Sequence, residues 1–285
     1  MSRSLHRYSS LPSAIRSQTS PKIHRLQPSF NARLLSSAPP APEEPAKPKP
    51  PPRFGVPIKP SVDERSVFER VRSRITEPYT REKNLETREY LMKKLDESYF
   101  KDITELRKHG GKMWEAQTKL IRAEKALYMP NIKGTSLDKR QTNLVDLISG
   151  KTSLVAFSFV QHGSDQLKSF IEPFVKEFRG KQNIELVELN IQENPLKSML
   201  VRLLIPNIRH NIPTDRHSNY IIHYGNIERL RDALGMTNTL LGYVFLVDNE
   251  CRIRWAAHGI ATEQELQSMR LMTRALHDRN TKKGT

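Results

Sequence analysis

The sequence predicts an α/β chain in which a thioredoxin-like domain is preceded by an amphipathic helical arm and a disordered N-terminal region. Three observations lead to this prediction. After Pro130, short apolar runs alternate with amphipathic stretches, as in strands alternating with helices. Residues 61–128 carry dense alternating charge around a narrow apolar stripe. Residues 1–60 are first basic and serine-rich and then proline-rich.

Residues 1–35 are predicted to be a mitochondrial transit peptide. No acidic residue occurs before Glu43, and the basic residues of this stretch stand among many serines. The run Arg-Leu-Leu-Ser at residues 33–36 is similar to a matrix-protease site, so we expect cleavage after Leu35. A basic tail without a targeting role is the alternative.

Residues 36–60 are predicted to be a linker, because their many prolines block helix hydrogen bonds and favour an extended polyproline conformation. The helical arm is predicted over residues 61–128. A capping box starts its first helix, Pro78 interrupts the pattern, and a second helix ends at Gly110-Gly111. A third helix is expected over residues 113–127.

The thioredoxin-like domain is predicted over residues 129–280, followed by a disordered tail at 281–285. Strands are expected at 154–160, 184–191, 220–224, 243–247 and 252–257, and helices at 164–178, 195–204 and 262–276. Ser164 is expected to cap the first of these helices, and Pro173 to kink it. A strand-helix-strand unit followed by a hairpin and a closing helix gives the thioredoxin-like outline.

The predicted domain lacks the chemistry of thioredoxin-like enzymes. Those enzymes hold a cysteine just after the first strand, at a helix N-terminus that favours the thiolate. Here that stretch reads Gln-His-Gly-Ser over residues 161–164. The single cysteine, Cys251, falls in the predicted hairpin turn, which excludes intramolecular disulfides and Cys-x-x-Cys centres. A Ser164 nucleophile activated by His162 is the weaker alternative, since capping is the simpler role for this serine.

Metal, nucleotide and nucleic-acid sites have little support in the sequence. The histidines match no compact ligand spacing; those tested are His210, His217, His223 and His258. Neither a Walker sequence nor a Gly-x-Gly-x-x-Gly loop occurs. Of the net charge of +16, half lies in residues 1–60, so it does not mark a basic folded face. We therefore expect no catalytic residue, no cofactor, no metal, no nucleic acid and no small-molecule substrate.

Four segments of the chain resemble a known family. They are Gly-Lys-Met-Trp at 111–114, Ala-Leu-Tyr-Met-Pro-Asn-Ile-Lys-Gly-Thr-Ser-Leu at 126–137, Asn-Ile-Gln-Glu-Asn-Pro-Leu-Lys at 190–197 and Gly-Tyr-Val-Phe-Leu-Val-Asp at 242–248. Together they resemble the fungal mitochondrial ATP synthase assembly factors of the membrane (Fo) sector, over residues 85–280. The chain departs from the pattern at Cys251, where a glycine would suit the turn better.

The resemblance implies a non-catalytic chaperone that is attached peripherally to the matrix side of the mitochondrial inner membrane. It also implies that the chaperone binds newly made subunit a (subunit 6) and helps it to join the ring of c subunits. Candidate contacts lie on the arm and at its junction with the domain: Phe68, Val71, Leu91, Leu95, Trp114, Pro130, Ile132, Gly134 and Leu137. The alternative is that these residues pack the arm onto the domain.

Two other functions stay open at this point. One is a thioredoxin-like or peroxidase-like enzyme with unconventional residues, which peroxide turnover by wild type and Cys251→Ser would test. The other is a mitochondrial RNA- or ribosome-associated factor, because the chain is basic. Steep salt dependence of RNA binding would identify it.

Overall fold

The computed structural model describes residues 50–60, 100–193 and 195–283. Residues 100–108 form a leading helix. The later elements are β1 (Lys133–Ser136), β2 (Gln141–Asn143), α1 (Leu144–Ile148), β3 (Thr152–Ser158), α2 (Gln161–Phe178), β4 (Ile184–Gln192), α3 (Pro195–Asn211), a 3₁₀ helix (Thr214–Asn219), β5 (Tyr220–Tyr224), α4 (Glu228–Ala233), β6 (Tyr243–Val247), β7 (Ile253–His258) and α5 (Glu263–Lys283).

The strands form one mixed sheet in the order β2-β1-β5-β4-β3-β6-β7. β4 is parallel to both β3 and β5, whereas β6 is antiparallel to β3 and to β7. The β3-α2-β4 unit and the β6-β7-α5 unit therefore meet along the β3–β6 pairing, which is the thioredoxin-like arrangement. The predicted α/β fold class is confirmed.

Both faces of the sheet are buried. On one face α2 and α5 cover a core that includes Leu154 and Trp255. On the other face α1, α4 and the chain before β1 cover a second core that includes Val155 and Phe245. Every residue of β3 is buried, which explains why this strand reads as a continuous apolar run in the sequence.

The predicted strands of the domain lie within a few residues of the observed ones, and the helices are longer than predicted. α3 continues to Asn211, and α2 begins at Gln161, three residues before the predicted start, and runs through Pro173 to the predicted end at Phe178. α5 reaches Lys283, so the tail predicted from residue 281 is helical as far as the structure describes it. The sequence analysis missed the short elements β1, β2, α1, the 3₁₀ helix and α4, which are too short to show a clear period.

The helix predicted over residues 113–127 is wrong. This segment runs in an irregular, extended path along the outer edge of β7. The Ile121 N–H donates to the Arg254 carbonyl at 2.8 Å, and the Ile253 N–H donates to the Leu127 carbonyl at 2.8 Å. An exposed strand edge carries unpaired backbone groups, and covering them outweighs a weak local helical preference.

The described end of the predicted linker is also packed onto the domain. Phe54 is 2% exposed, and its ring centroid lies 4.8 Å from that of Trp114. Val56 exchanges two backbone hydrogen bonds of 2.9 Å with Tyr128. Residues 54–56 are therefore packed on the domain, so this part of the predicted linker is not a free spacer. In the described part of the chain, no helix combines the length and the hydropathy that crossing a bilayer requires.

Candidate functional site

The end of β3 and the first turn of α2 form the position at which thioredoxin-like enzymes hold their cysteine. α2 begins at Gln161, with Val160 as its N-cap residue. Ser164 lies inside the helix, where its hydroxyl donates to the Val160 carbonyl at 3.4 Å. The prediction that Ser164 caps the helix is wrong, because helical geometry has already begun one turn earlier.

The two candidate groups for nucleophilic chemistry have separate partners. The His162 ring nitrogen Nε2 lies 3.0 Å from the Gln166 amide nitrogen, whereas the Ser164 hydroxyl is directed to a backbone carbonyl. A serine nucleophile needs a base within hydrogen-bond reach. Among the described residues, the Ser164–His162 pair is therefore not assembled for catalysis.

The loop of residues 238–242 packs directly on the first turn of α2. The Gly242 N–H donates to the Gln166 side-chain oxygen at 3.0 Å. A Cβ atom on Gly242 would lie 2.4 Å from the Gly163 carbonyl oxygen, and one on Gly163 would lie 3.1 Å from the Leu241 carbonyl. Only glycine permits this close approach of two backbones. The protein backbone thus closes this side of the position where a cysteine would stand.

Two buried polar side chains fix the shape of this loop. Asn238 is fully buried, and its side-chain oxygen accepts a hydrogen bond from the Leu240 N–H at 3.0 Å. The Tyr243 hydroxyl donates to the Asn238 carbonyl at 2.9 Å and accepts from the Asn238 N–H at 3.0 Å. Burial raises the pKa of Tyr243 above its ordinary value, so the hydroxyl keeps its proton and remains a donor.

Asp102 anchors the leading helix to the same loop. Its Oδ2 atom accepts hydrogen bonds from the Thr239 N–H at 2.9 Å and from the Thr239 hydroxyl at 2.5 Å. The Asn238 side-chain amide donates to the Asp102 backbone carbonyl at 2.8 Å. Asp102 is only 3% exposed, and a buried carboxylate requires donors of this kind.

Lys112 forms a second anchor between the arm and the start of α5. Its Nζ atom donates to the two Glu265 carboxylate oxygens at 2.9 and 2.7 Å and to the His258 carbonyl at 2.6 Å. Glu265 and Thr262 also form a reciprocal capping box at 2.9 and 3.3 Å. Burial lowers the pKa of Lys112, while the Glu265 carboxylate opposes this shift.

His258 completes the second anchor with its ring. Nε2 accepts hydrogen bonds from the backbone N–H groups of Met113 and Trp114, both at 3.2 Å. The hydrogen-bond network therefore assigns the ring proton to Nδ1, and the imidazole is neutral. Burial, helped by the charge of Lys112, lowers the pKa of His258 to about 3. We call Asp102, Lys112, Asn238, Thr239, His258 and Glu265 the arm clamp.

The arm clamp was missed in the sequence analysis. Asp102 and Lys112 stand among many other charged residues, and nothing in the local pattern distinguishes them. Glu265 did carry a signal, because Thr-x-x-Glu at residues 262–265 is a capping box ahead of the apolar positions of α5.

The residues predicted to contact a partner fall into two groups. Phe68, Val71, Leu91 and Leu95 lie outside the described residues. The others are in the interior: Trp114, Ile132 and Leu137 are at most 5% exposed, Pro130 is buried, and a Cβ on Gly134 would lie 2.4 Å from the Ile221 side chain. The structure gives this second group a packing role, and a partner-binding role for any of the nine stays a prediction.

The remaining histidines do not come together. His217 Nε2 lies 2.8 Å from the Ile212 carbonyl, and His223 Nδ1 lies 2.6 Å from the Lys133 carbonyl. His210 is exposed on α3. Across residues 50–60, 100–193 and 195–283, no three His, Cys, Asp or Glu side chains are grouped so that they could hold a metal ion.

Cys251 occupies the turn between β6 and β7. Its φ of 64° is the left-handed conformation in which glycine is favoured, in agreement with the turn expected from the sequence. The side chain is 2% exposed, and Sγ lies 3.4 Å from the Ser149 hydroxyl. Burial raises the pKa of Cys251, which disfavours the reactive thiolate.

Comparison with known proteins identifies relatives of the chain. A family model described as ATP10 protein matches residues 36–276. Mitochondrial ATPase complex subunit ATP10 of Candida glabrata is 31% identical over 174 residues, which are 59% of this chain and 63% of that protein. The protein of the same name from Saccharomyces cerevisiae is 30% identical over 185 residues, 59% of this chain and 66% of the relative. The chain thus spans less than two thirds of the length of these two relatives.

Solved structures with low sequence identity also align with the domain. A putative protein disulfide isomerase from Bacteroides thetaiotaomicron is 15% identical with a TM-score of 0.40, covering 57% of this chain and 98% of that one. A putative thiol:disulfide interchange protein DsbE from Chlorobium tepidum is 11% identical with a TM-score of 0.38, covering 53% and 96%. The fold assignment rests on the strand order itself. Since the family model covers most of the sequence, the resemblance found in the four segments is confirmed, and the chain belongs to the ATP10 protein family.

Proposed function

We propose that this protein is a non-catalytic assembly factor for the Fo sector of the mitochondrial ATP synthase. One observation carries the proposal: in a member of the ATP10 family, the position of the thioredoxin-like cysteine is closed by the loop of residues 238–242 and has no assembled nucleophile. Relatives named mitochondrial ATPase complex subunits support the mitochondrial ATP synthase as the place of action.

The client in this proposal is newly made subunit a, which the protein would hold until it joins the ring of c subunits. A membrane subunit of this kind exposes polar intramembrane groups at high cost until its proper partners cover them. The arm clamp holds the described end of the arm against the domain, and residues 61–99 directly precede this end in the sequence. The candidate client contacts Phe68, Val71, Leu91 and Leu95 lie on that stretch.

The proposed location is the matrix side of the inner membrane, with peripheral attachment. The acid-free N-terminal stretch supports import into mitochondria. The named relatives are mitochondrial as well.

Affinity capture during pulse labelling of organelle translation tests the client. The tagged chain is isolated from mitochondria at short and long labelling times, and the labelled products are separated. We expect labelled subunit a in the captured fraction before it appears in the assembled synthase. Capture of ribosomal proteins or RNA in its place would discard the proposal and favour the RNA-associated alternative.

A paired variant tests the arm as the contact surface. Leu91→Asp combined with Leu95→Asp should abolish capture of subunit a, because two charges would enter the proposed apolar contact. Leu271→Asp is the matched control, since Leu271 is an exposed leucine on α5 at 63% exposure. Circular dichroism and the thermal midpoint establish that both proteins are folded. If the double variant is folded and still captures subunit a like wild type, the arm is not the contact.

A further inference from the structure

The charge of α3 differs from that of the other helices. The 17 residues of Pro195–Asn211 include Lys197, Arg202 and Arg209 and no acidic residue. In the described part of the chain, each of the other helices contains at least one Asp or Glu. Cations without interspersed carboxylates produce a surface that favours an anionic partner.

α3 also exposes two adjacent leucines. Leu203 is 72% exposed and Leu204 is 53% exposed. The other large hydrophobic side chains that are exposed in the described residues are not adjacent to one another in the sequence: Ile58, Phe100, Ile260 and Leu271. A single exposed apolar residue needs no explanation, but an adjacent pair on a basic helix combines the two features of a membrane-surface helix.

The orientation of α3 is fixed from its opposite side. Ile205, Ile208 and Ile212 pack against a small core formed by Tyr220 and Ile222 of β5 and by Leu137, which directly follows β1. His217 Nε2 lies 3.1 Å from the Arg209 carbonyl and 2.8 Å from the Ile212 carbonyl, at the C-terminal end of the helix. Because the isoleucine side is held by the sheet, Leu203 and Leu204 remain on the outer side.

We propose that α3 is a docking helix for an anionic lipid surface, with Leu203 and Leu204 entering the boundary between headgroups and acyl chains. Arg209, which is exposed on the same helix, would lie against the lipid phosphates. Charge complementarity favours lipid over a second copy of this basic chain. A stable protein interface also buries about 1,000 Å² or more, far beyond what two leucines provide. The inference rests on the proposed function only in placing the protein at the inner membrane.

Vesicle binding by the full chain tests this docking helix. The probes are vesicles of equimolar phosphatidylcholine and phosphatidylglycerol, compared with phosphatidylcholine alone. Leu203→Gln combined with Leu204→Gln keeps the net charge and should weaken binding to the anionic vesicles by about tenfold or more. Leu271→Gln, which removes an exposed leucine from α5, should bind like wild type. All variants share the same basic N-terminal region, so its contribution cancels.

A fluorescence measurement reports insertion directly. The two native tryptophans are buried at 5% and 0% exposure, so a tryptophan placed at residue 203 is the one that responds to lipid. Leu203→Trp should shift its emission to shorter wavelength on anionic vesicles, and Leu271→Trp should not.

Three results would overturn the proposal: absence of vesicle binding by wild type, equal affinity of the double glutamine variant, or an unchanged emission of Leu203→Trp. A change of oligomeric state in the double variant without vesicle binding would assign the leucine pair to a second copy of the chain. Capture of subunit a is measured separately, so failure of lipid docking and failure of the client proposal remain distinguishable.

Discussion

The arm clamp and the outer side of α3 differ in burial and in the pairing of their side chains. The arm clamp is buried, polar and internally paired: Asp102 is 3% exposed, and Lys112 donates to three acceptor atoms. The sequence of α3 contains basic and no acidic residues, and its outer side displays Leu203 at 72% exposure. Apart from the buried His258 Nδ1, which has no hydrogen-bond partner among the described residues, the first surface is paired within the chain, whereas the second exposes two leucines that no described residue covers.

This difference bears on how the chain uses the residues near the usual reactive position of a thioredoxin-like fold. The first turn of α2 is covered by the loop of residues 238–242, and the arm clamp holds the leading helix against that loop. The residues near the usual reactive position therefore stabilise the attachment of an arm. In the two proposals above, binding is assigned to the arm and to α3, which lie elsewhere in the sequence.

The largest loss of unfolding free energy is expected from Glu265→Ala. The substitution removes half of the capping box and leaves Lys112 without its carboxylate, although this amine is already mostly buried. Breaking a largely buried ion pair by removing one partner should cost about 3 kcal/mol of unfolding free energy, measured by urea denaturation. Glu263→Gln is the control, because Glu263 is exposed in the same first turn of α5. This substitution should leave the unfolding free energy almost unchanged. Equal losses for the two variants would contradict a special role for Glu265.

The next effect is a dependence of stability on pH that comes from His258. Its pKa is lowered from 6.5 to about 3 in the folded protein, so between these values the unfolded chain binds more protons. The stabilising contribution of the neutral ring is complete above pH 6.5 and is lost as the pH falls toward 3. From neutral pH to pH 5 the loss should be about 2 kcal/mol.

His258→Gln supplies the reference for this pH dependence. Glutamine can still accept a hydrogen bond from the Met113 and Trp114 N–H groups but does not titrate. All other titrating groups are shared, so the difference between the two stability curves isolates the imidazole. Parallel curves for wild type and variant between pH 7 and pH 5 would show that His258 is not held neutral.

A smaller loss is expected at the first anchor of the arm clamp. Asp102→Ala leaves the Thr239 N–H and hydroxyl without their acceptor, which should cost about 1.5 kcal/mol. Glu105→Ala, a less buried acid on the same leading helix, is the control. Urea midpoints measure both. A greater loss for Glu105→Ala than for Asp102→Ala would mean that the leading helix is anchored elsewhere.

The fold was largely predictable from the sequence, and the reason is the periodicity of the main elements. Buried parallel strands such as β3 show continuous apolar runs, and α5 shows helical spacing of its apolar residues. The segment of residues 113–127 was misread because its apolar residues match a helical period by chance. Its conformation is decided by pairing with β7, a strand more than a hundred residues away in the sequence, which no local pattern contains.

At the candidate site, the main feature that could be predicted from the sequence was the absence of a cysteine. The missing cysteine after β3 is visible in the sequence, and so is the glycine-like turn at Cys251. The partners Asp102 with Thr239 and Lys112 with Glu265 are far apart in the chain, so their pairing exists only in the folded structure. The exposure of Leu203 is likewise decided only in the folded structure, because local spacing does not show which side of α3 meets the sheet.

The smallest change in unfolding free energy is expected from a variant of α3. This measurement separates an effect on vesicle binding from an effect on stability. Leu203→Gln combined with Leu204→Gln should change the unfolding free energy by less than about 0.5 kcal/mol, because both side chains are mostly in solvent already and glutamine is a good helix former. Urea denaturation in the absence of lipid measures this. A large loss would mean that the two leucines pack against the protein, and any loss of vesicle binding by this variant would then reflect unfolding. A negligible loss makes that binding experiment a test of the surface alone.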